Sequence, residues 1–300
     1  MNFKHLKYFV ATAETGQVSR AAKLLSISQS AVTSAIRELE AILGATLFVR
    51  RAQGMDLTEA GQQFLHSARD ILERLDAARV LDRRDSDVSG VIRLAATYTV
   101  IGYFLPYHLG RLSQLYPGLN IEIVELNRQS IEQQLLSGQI DMAVALTSNI
   151  QNPEIETVTL LQSQRRLWLP AGHALGDQDQ VALQDIAREP YIMLTVDEAA
   201  HASMKYWNNN NCTPDIQLRT SSVEAVRSMV ANGQGVTILS DMVYRPWSLE
   251  GRRIMTVQTG VRIPSMDVGM AFRANADLTD ATLALRDYFT TSFLSSAPKF

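Results

Sequence analysis

The stretch that decides the fold of the N-terminal part runs from residue 3 to residue 44: FKHLKYFVATAETGQVSRAAKLLSISQSAVTSAIRELEAILG. Its apolar residues recur at steps of three and four, which predicts amphipathic helices. A glycine ends the first helix, and Ser19 is predicted to cap a short second helix. A third helix opens at Ser28 or Gln29 and ends at Gly44. Two short helices, a tight turn and a longer helix have the spacing of a helix-turn-helix.

A wing is predicted directly after the third helix. Two short strands, Thr46–Val49 and Met55–Leu57, flank a turn at Gly54, and two arginines stand at its base. An arginine in this position reaches phosphate or a narrow minor groove, whose negative potential attracts it. The alternative is that both arginines form ordinary surface ion pairs.

The start of the third helix offers polar side chains of the kind that read base edges. The N-terminal residues of a recognition helix face the major groove, where Gln pairs with adenine and Ser or Thr contacts several groups. The alternative for this segment is a capped, solvated helix start. The predicted DNA-binding residues are Gln29, Ser30, Thr33, Ser34, Arg37, Arg50 and Arg51.

The charge distribution agrees with a DNA-binding N-terminus. Residues 1–56 hold seven basic and four acidic side chains, a net charge of +3, within a chain whose net charge is -3. A basic segment on an acidic body is typical of one end that meets a polyanion, although an ordinary solvated surface also carries such a charge.

From Thr58 to about residue 87 the apolar residues follow heptad spacing and are flanked by charged residues. This pattern favours a linker helix that forms a homodimer. An amphipathic helix packed on its own domain remains the alternative. The stripe consists of Phe64, Ala68, Ile71, Leu75 and Ala78.

Beyond Gly90, segments with strand character alternate with helical ones, which predicts an α/β domain with a largely parallel sheet. Strands are expected at 91–95, 119–126 and 140–146, and helices at 103–116 and 130–137. A second block begins near Gln162, with strands at 166–169, 191–194 and 236–239 and a helix at 223–232. A strand at 268–272 and a helix at 279–293 follow it.

A small-molecule cleft is expected where strands end and helices begin. Hydroxyl groups at such helix starts favour a carboxylate, although each is otherwise an N-cap. Met204 and Trp207 offer an apolar wall or core packing. The predicted effector-binding residues are Thr97, Tyr98, Thr99, Ser130, Thr195, Met204 and Ser222. The expected ligand is a small organic acid, aromatic acids included.

An enzyme is not expected. The five histidines are scattered, and neither a nucleophile elbow nor a phosphate loop is present, so no catalytic residue, metal or cofactor is predicted. Cys212, the one cysteine, is interpreted as a buried apolar residue or, alternatively, as a redox sensor. The sequence shows neither a signal peptide nor a membrane span, which predicts a cytoplasmic protein and disfavours the alternative of a transport solute-binding protein.

Several segments together resemble the LysR-type transcriptional regulators over nearly the whole chain. The N-terminal segments that carry this resemblance are NFKHLKYFVATAETGQVSRAAKLLSISQSAVTSAIRELEAILGATLFVRR and LTEAGQQFL. The later ones are GVIRLAAT, YFLPYHLGRLSQLYPGLNIEI, LLSGQIDMAVAL and MVANGQGVTILS.

The resemblance implies an all-α winged helix-turn-helix over 1–58, a dimerising linker helix over 59–88 and an effector domain over 89–300. That domain resembles type 2 periplasmic binding proteins, with one lobe at about 89–162 and 268–300 and the other at about 163–267. The implied partners are double-stranded promoter DNA, a small effector, a second copy, a tetrameric assembly and RNA polymerase.

Two positions depart from the family pattern. Ser34 and Gln53 stand where family members often carry arginine, so the base preference cannot be carried over from the family.

Overall fold

Helix α3 is the central element of the N-terminal unit, Met1–Arg84. The computed structural model describes residues 1–25, 27–51, 54–58 and 88–293, and residues 60, 61, 63–65, 67, 68, 71, 72 and 75. The elements of this unit are α1 (Phe3–Thr15), α2 (Val18–Leu24), α3 (Gln29–Leu43), β1 (Phe48–Arg51) and β2 (Gly54–Leu57).

Local signals end and begin these helices. Gly16 and Gly44 follow α1 and α3 with φ values of 67° and 63°, the left-handed conformation that glycine adopts at little cost. Of the two residues predicted to open α3, Gln29 is its first residue and Ser28 is its cap, whose hydroxyl accepts a hydrogen bond from the backbone N–H of Ala31. The predicted cap at Ser19 is wrong, because the N-cap of α2 is Gln17, two residues earlier.

The apolar faces of α1, α2 and α3 form one core, in which Phe9, Val32 and Leu39 are fully buried. The helical residues described between 60 and 75 add to this core, with Phe64 in ring contact with Phe9 and Ala68 fully buried. The first part of the heptad stripe therefore packs on its own domain. Ala78 lies outside the described residues, and dimerisation through this helix stays a prediction.

The second unit, Asp85–Phe300, contains two lobes with separate cores. The sheet of the first lobe has the strand order β4-β3-β5-β13-β6. The elements of this lobe are β3 (Ser89–Ala96), α4 (Tyr98–Tyr103), α5 (Leu105–Leu115), β4 (Gly118–Glu125), α6 (Arg128–Ser137), β5 (Met142–Leu146), β6 (Ile155–Ser163), β13 (Met266–Arg273) and α10 (Asp280–Phe293).

The second lobe lies between β6 and β13 along the chain. Its strands pair in the orders β11-β7-β12-β8 and β10-β9. Its elements are β7 (Arg165–Pro170), β8 (Gln180–Val181), α7 (Leu183–Ile186), β9 (Pro190–Leu194), α8 (Ala199–Asn209), β10 (Asp215–Thr220), α9 (Val223–Ala231), β11 (Thr237–Ser240) and β12 (Ile254–Thr259).

Four predictions about this unit need correction. The sheets are mixed, because β13 runs antiparallel to both β5 and β6, and β7 runs antiparallel to β11 and β12. Strand β6 precedes the block expected from residue 162. The helix predicted over 103–116 is α5, which begins two residues later, and the short helix α4 before it was not predicted. Helix α8 was not predicted, since only Met204 and Trp207 marked its apolar face.

Candidate functional site

The exposed face of α3 carries the predicted base-reading residues. Gln29, Ser30, Ser34 and Arg37 are exposed and Thr33 is half-buried. At 3.6 residues per turn these five positions lie within an arc of about 140°. The opposite face packs into the core through Val32, Ala35, Ile36 and Leu39.

Local hydrogen bonds hold several of these side chains. The Thr33 hydroxyl donates to the Gln29 carbonyl at 2.9 Å, so it is oriented along the helix and keeps its lone pairs for an incoming donor. The Ser34 hydroxyl donates to Glu38 Oε1 at 3.3 Å. The Ser30 and Ser28 hydroxyls lie 3.0 Å apart. The long side chains of Gln29 and Arg37 therefore offer the greatest reach on this face.

The wing is tied to α3 by one carboxylate. Glu40 Oε1 accepts hydrogen bonds from the backbone N–H groups of Leu47 and Phe48 at 2.7 and 3.2 Å. The N–H of Met55 donates to the Gly16 carbonyl at 2.8 Å, which ties β2 to the turn between α1 and α2. These bonds fix the start of β1 and the position of β2 relative to the helices.

Gly54 is required in the wing. Its φ is 144°, and a Cβ there would lie 2.4 Å from the Gly16 carbonyl oxygen. The backbones of Arg50 and Arg51 belong to β1 and pair with Met55 and Gly54. The side chains of both arginines, and all of Gln53, lie outside the described residues, so the predicted role of the arginines stays a prediction.

In the second unit a cavity of about 400 Å³ lies between the two lobes. It is bounded by the ends of β3, β4 and β5 on one side and by the segment after β9 on the other. The lining residues are Thr97, Tyr98, Glu125, Leu126, Asn127, Arg128, Gln129, Ala145, Leu146, Asn149, Thr195, Val196, Asp197 and Glu198.

Two acidic residues of the second lobe reach the first lobe at this cavity. Asp197 Oδ2 accepts a hydrogen bond from the backbone N–H of Thr99 at 2.7 Å and a second from the Thr99 hydroxyl. Glu198 Oε1 accepts from Arg128 Nε at 2.8 Å. These two carboxylates therefore join the second lobe to the first at the N-terminal ends of helices α4 and α6.

Arg128 is shared between two carboxylates, because its second nitrogen lies 2.7 Å from Glu132 Oε1. Hydrogen bonds to Glu132 and Glu198 raise the pKa of this guanidinium. The cavity lining holds three carboxylates, Glu125, Asp197 and Glu198, against this one guanidinium.

The predicted effector residues divide into two groups. Thr97, Tyr98 and Thr195 line the cavity, whereas Thr99 is not part of the lining but hydrogen-bonds to Asp197, which is. The Thr97 hydroxyl is buried and has no hydrogen-bond partner among the described residues.

The structure does not bring Ser130, Met204 and Ser222 to this lining. The N–H of Ser130 donates to Asn127 Oδ1, the Ser222 hydroxyl caps α9, and Met204 packs on the core of the second lobe. Cys212 is buried in that same core, with its thiol 3.3 Å from the Asn210 carbonyl oxygen.

Sequence reasoning missed the charged part of the cavity. Arg128 is the first residue of α6, and Asp197 and Glu198 follow β9, so the rule that ligands meet strand ends had a signal for all three. Their pairing depends on tertiary contacts between residues 70 or more positions apart.

Within the described residues no group of three or more His, Cys, Asp and Glu side chains has an arrangement that could hold a metal ion. None of the helices in the described part of the chain has the length and apolar content needed to cross a lipid bilayer.

Two family models match the chain. Residues 3–62 match the model described as bacterial regulatory helix-turn-helix protein, lysR family, and residues 85–294 match the LysR substrate binding domain.

Curated relatives align along most of their length. A hydrogen peroxide-inducible genes activator of Pectobacterium carotovorum subsp. carotovorum is 30% identical over 80% of this chain and 80% of its own. A RuBisCO operon transcriptional regulator of Allochromatium vinosum is 27% identical over 96% and 95%. The crystal structure of HinK, a LysR family transcriptional regulator from Pseudomonas aeruginosa, matches with a TM-score of 0.62 and 29% identity over 96% of this chain and 97% of that one.

Proposed function

The chain belongs to the LysR family of bacterial transcriptional regulators, and on that premise we propose how it binds DNA and which class of effector controls it. Family membership makes it a DNA-binding regulator with an effector-binding domain, and not an enzyme. The proposal is that α3 and the wing bind double-stranded promoter DNA, and that a small organic acid, aromatic acids included, sets this activity from the interlobe cavity.

The observation that carries the DNA-binding proposal is the polar arc on α3. Gln29 and Arg37 project from the face opposite the buried one, on a helix held by its core and by its contacts with the wing. The crystal structure of full-length CbnR complexed with the target DNA shares the fold of this chain, with a TM-score of 0.56 and 24% identity. In the proposed arrangement Gln29, Ser30, Thr33 and Ser34 face bases, and Arg37, Arg50 and Arg51 face phosphates or a minor groove.

Fluorescence anisotropy with the DNA upstream of its own gene tests this surface. Arg37→Ala and Arg50→Ala are each expected to weaken binding and to flatten the slope of log K against log salt by about one unit, because each loses about one phosphate contact. Arg188→Ala is the matched control, since this arginine is exposed and belongs to the second unit. An unchanged salt slope in both variants would contradict the proposed contacts.

A homodimer formed through the helix at 59–88, and a tetramer built from dimers, complete the proposed assembly. Two recognition helices in one dimer would read half-sites about one DNA turn apart. Light scattering after size exclusion should give at least twice the monomer mass of 33.3 kDa. Because promoter DNA lies with the chromosome, we propose a cytoplasmic location, with RNA polymerase as the partner in transcription control.

The effector proposal depends on the size and polarity of the cavity. Its volume of about 400 Å³ is in the range of small-molecule sites. It presents a guanidinium, Arg128, and a buried hydroxyl without a partner, Thr97. The carboxylate of an acid can form an ion pair with Arg128 and accept a hydrogen bond from the Thr97 hydroxyl.

Calorimetry on the full chain tests the effector class. Acetate, benzoate and succinate should give binding heats that Arg128→Ala abolishes. Neutral sugars and alkylamines serve as comparators, and binding of only those compounds would overturn the organic-acid proposal.

A further inference from the structure

In this structure the Arg128 guanidinium and the donors of Thr99, groups suited to an acid, already pair with the chain's own carboxylates. Asp197 occupies the N–H and hydroxyl of Thr99, and Glu198 occupies one edge of the Arg128 guanidinium. Thr99 is 3% exposed, so its donors are shielded from bulk water. An incoming acid therefore competes with side chains of the protein itself.

Electrostatics disfavours simple addition of an acid to this arrangement. Arg128 is neutralised from both sides by Glu132 and Glu198, and Glu125 adds a further negative charge to the lining. An acid that entered without displacing a carboxylate would meet net negative charge. Departure of one internal carboxylate would remove this repulsion and free an edge of the guanidinium for a ligand.

The backbone of the two acidic residues is strained. Asp197 and Glu198 have φ values of 50° and 61°, two successive left-handed residues without glycine. Aspartate tolerates this conformation through local hydrogen bonds, whereas glutamate rarely adopts it. Such a conformation persists only where surrounding contacts impose it, and here those contacts are the bonds to Thr99 and Arg128.

The cavity wall also holds a group that the internal carboxylates leave unsatisfied. The Thr97 hydroxyl is buried, has no hydrogen-bond partner among the described residues, and belongs to a residue that lines the cavity. A buried hydroxyl without a partner costs free energy that a ligand oxygen can recover.

We propose that Asp197 and Glu198 form an internal latch, which stands in for the effector and holds the two lobes together. The effector acid takes Arg128 from Glu198, hydrogen-bonds to Thr97 and lets the strained segment relax. The proposal rests on the proposed function in taking this cavity as the effector site. It goes beyond it in stating that effector binding is an exchange of one carboxylate for another.

The test begins with the full chain in the absence of ligand. Glu198→Gln keeps the size of the side chain and removes its charge. Glu132→Gln is the matched control, because it removes an equal charge from the same guanidinium but lies within the first lobe. Hydrogen–deuterium exchange of residues 97–103 and 195–199 should become about tenfold faster in Glu198→Gln and change less than twofold in Glu132→Gln. Equal exchange in both variants overturns the latch.

The second measurement is a benzoate titration of the same three proteins at constant ionic strength. The exchange model predicts a Kd at least tenfold lower in Glu198→Gln than in the wild-type chain, and a change of less than threefold in Glu132→Gln. An equal decrease of the benzoate Kd in both variants would mean that only the net charge around Arg128 determines affinity, and this result would overturn the exchange model. Weaker benzoate binding by Glu198→Gln also overturns it.

The two measurements separate the failure of the latch from the failure of the proposed function. Faster exchange in Glu198→Gln with no carboxylate bound by any variant supports the latch and overturns the organic-acid effector. Unchanged exchange together with equal benzoate binding by all three proteins overturns the latch and leaves the effector proposal standing. Unaltered circular dichroism of Glu198→Gln confirms that the variant is folded.

Discussion

Acidification should destabilise the second unit through one buried histidine, His108 in α5. Its side chain is 6% exposed and packs between the rings of Phe104 and Phe289 at centroid distances of 4.7 and 5.3 Å. Its Nδ1 lies 2.9 Å from the Tyr288 hydroxyl. Burial, with a smaller contribution from the charge of Arg111, lowers the pKa of His108 from 6.5 to about 4.

The sign of the effect follows from proton binding in the two states. Below about pH 6.5 the unfolded chain binds a proton at this histidine that the folded chain does not take up until about pH 4. The contribution to stability is therefore complete above pH 6.5 and is lost as the pH falls towards 4. The pKa difference corresponds to about 3 kcal/mol in total, of which about 2 kcal/mol is lost between pH 7 and pH 5.

His108→Gln isolates this contribution, because glutamine does not titrate and still offers hydrogen-bonding groups to Tyr288. Urea unfolding followed by circular dichroism at pH 7, 6 and 5 gives the free energy of unfolding. The fall between pH 7 and pH 5 should be about 2 kcal/mol smaller in the variant than in the wild-type chain. His201→Gln, at an exposed position in α8, should keep the wild-type fall. Equal falls in wild-type and His108→Gln chains would refute the reasoning.

Three further predictions concern the N-terminal unit. Glu40→Ala leaves the N–H groups of Leu47 and Phe48 without their acceptor and should cost about 1.5–3 kcal/mol of unfolding free energy in urea titrations. Glu40→Gln keeps an acceptor and should cost less, and equal losses in the two variants would contradict this role of Glu40. Gly61→Ala places a Cβ 2.1 Å from the Leu47 carbonyl oxygen and should lower the midpoint of thermal unfolding, whereas Gly110→Ala in α5 has open space around it and should not. An unchanged midpoint in Gly61→Ala would contradict the close approach of Gly61 to Leu47. Leu39→Ala creates a cavity at a fully buried position and should lower the unfolding free energy by about 2–5 kcal/mol in chemical denaturation. Ile42 is 53% exposed on the same helix, so Ile42→Ala should cost less than about 0.5 kcal/mol, and a similar cost for both variants would refute the assignment of the buried face.

Elements of this protein that are fixed by interactions between near neighbours in the chain could be predicted from the sequence. Helix α3 could be predicted because its signals are local: Ser28, Val32, Ile36 and Leu39 follow one another at steps of three or four residues. The start of α2 was misjudged by two residues, since Gln17 caps that helix without a side-chain hydrogen bond.

Errors in the second unit came from long-range pairing. Strand β13 re-enters the first sheet from the second lobe and pairs with β5 and β6 at separations of more than one hundred residues. Alternation of helices and strands carries no information on the direction of such a strand. The sequence pattern therefore predicted most strands of this sheet but not the antiparallel direction of β13.

The sequence by itself determined the helix-turn-helix, the polar face of α3 and the alternation that builds the two lobes, since these depend on caps, glycines and periodicity between near neighbours. Only the tertiary structure decided what the cavity contains. The bonds from Asp197 to Thr99 and from Glu198 to Arg128 join residues 98 and 70 positions apart, and they impose a backbone conformation that the local sequence disfavours. A contact of this kind arises when the two lobes pack together, so its geometry is fixed by the fold rather than by the residues on either side of it.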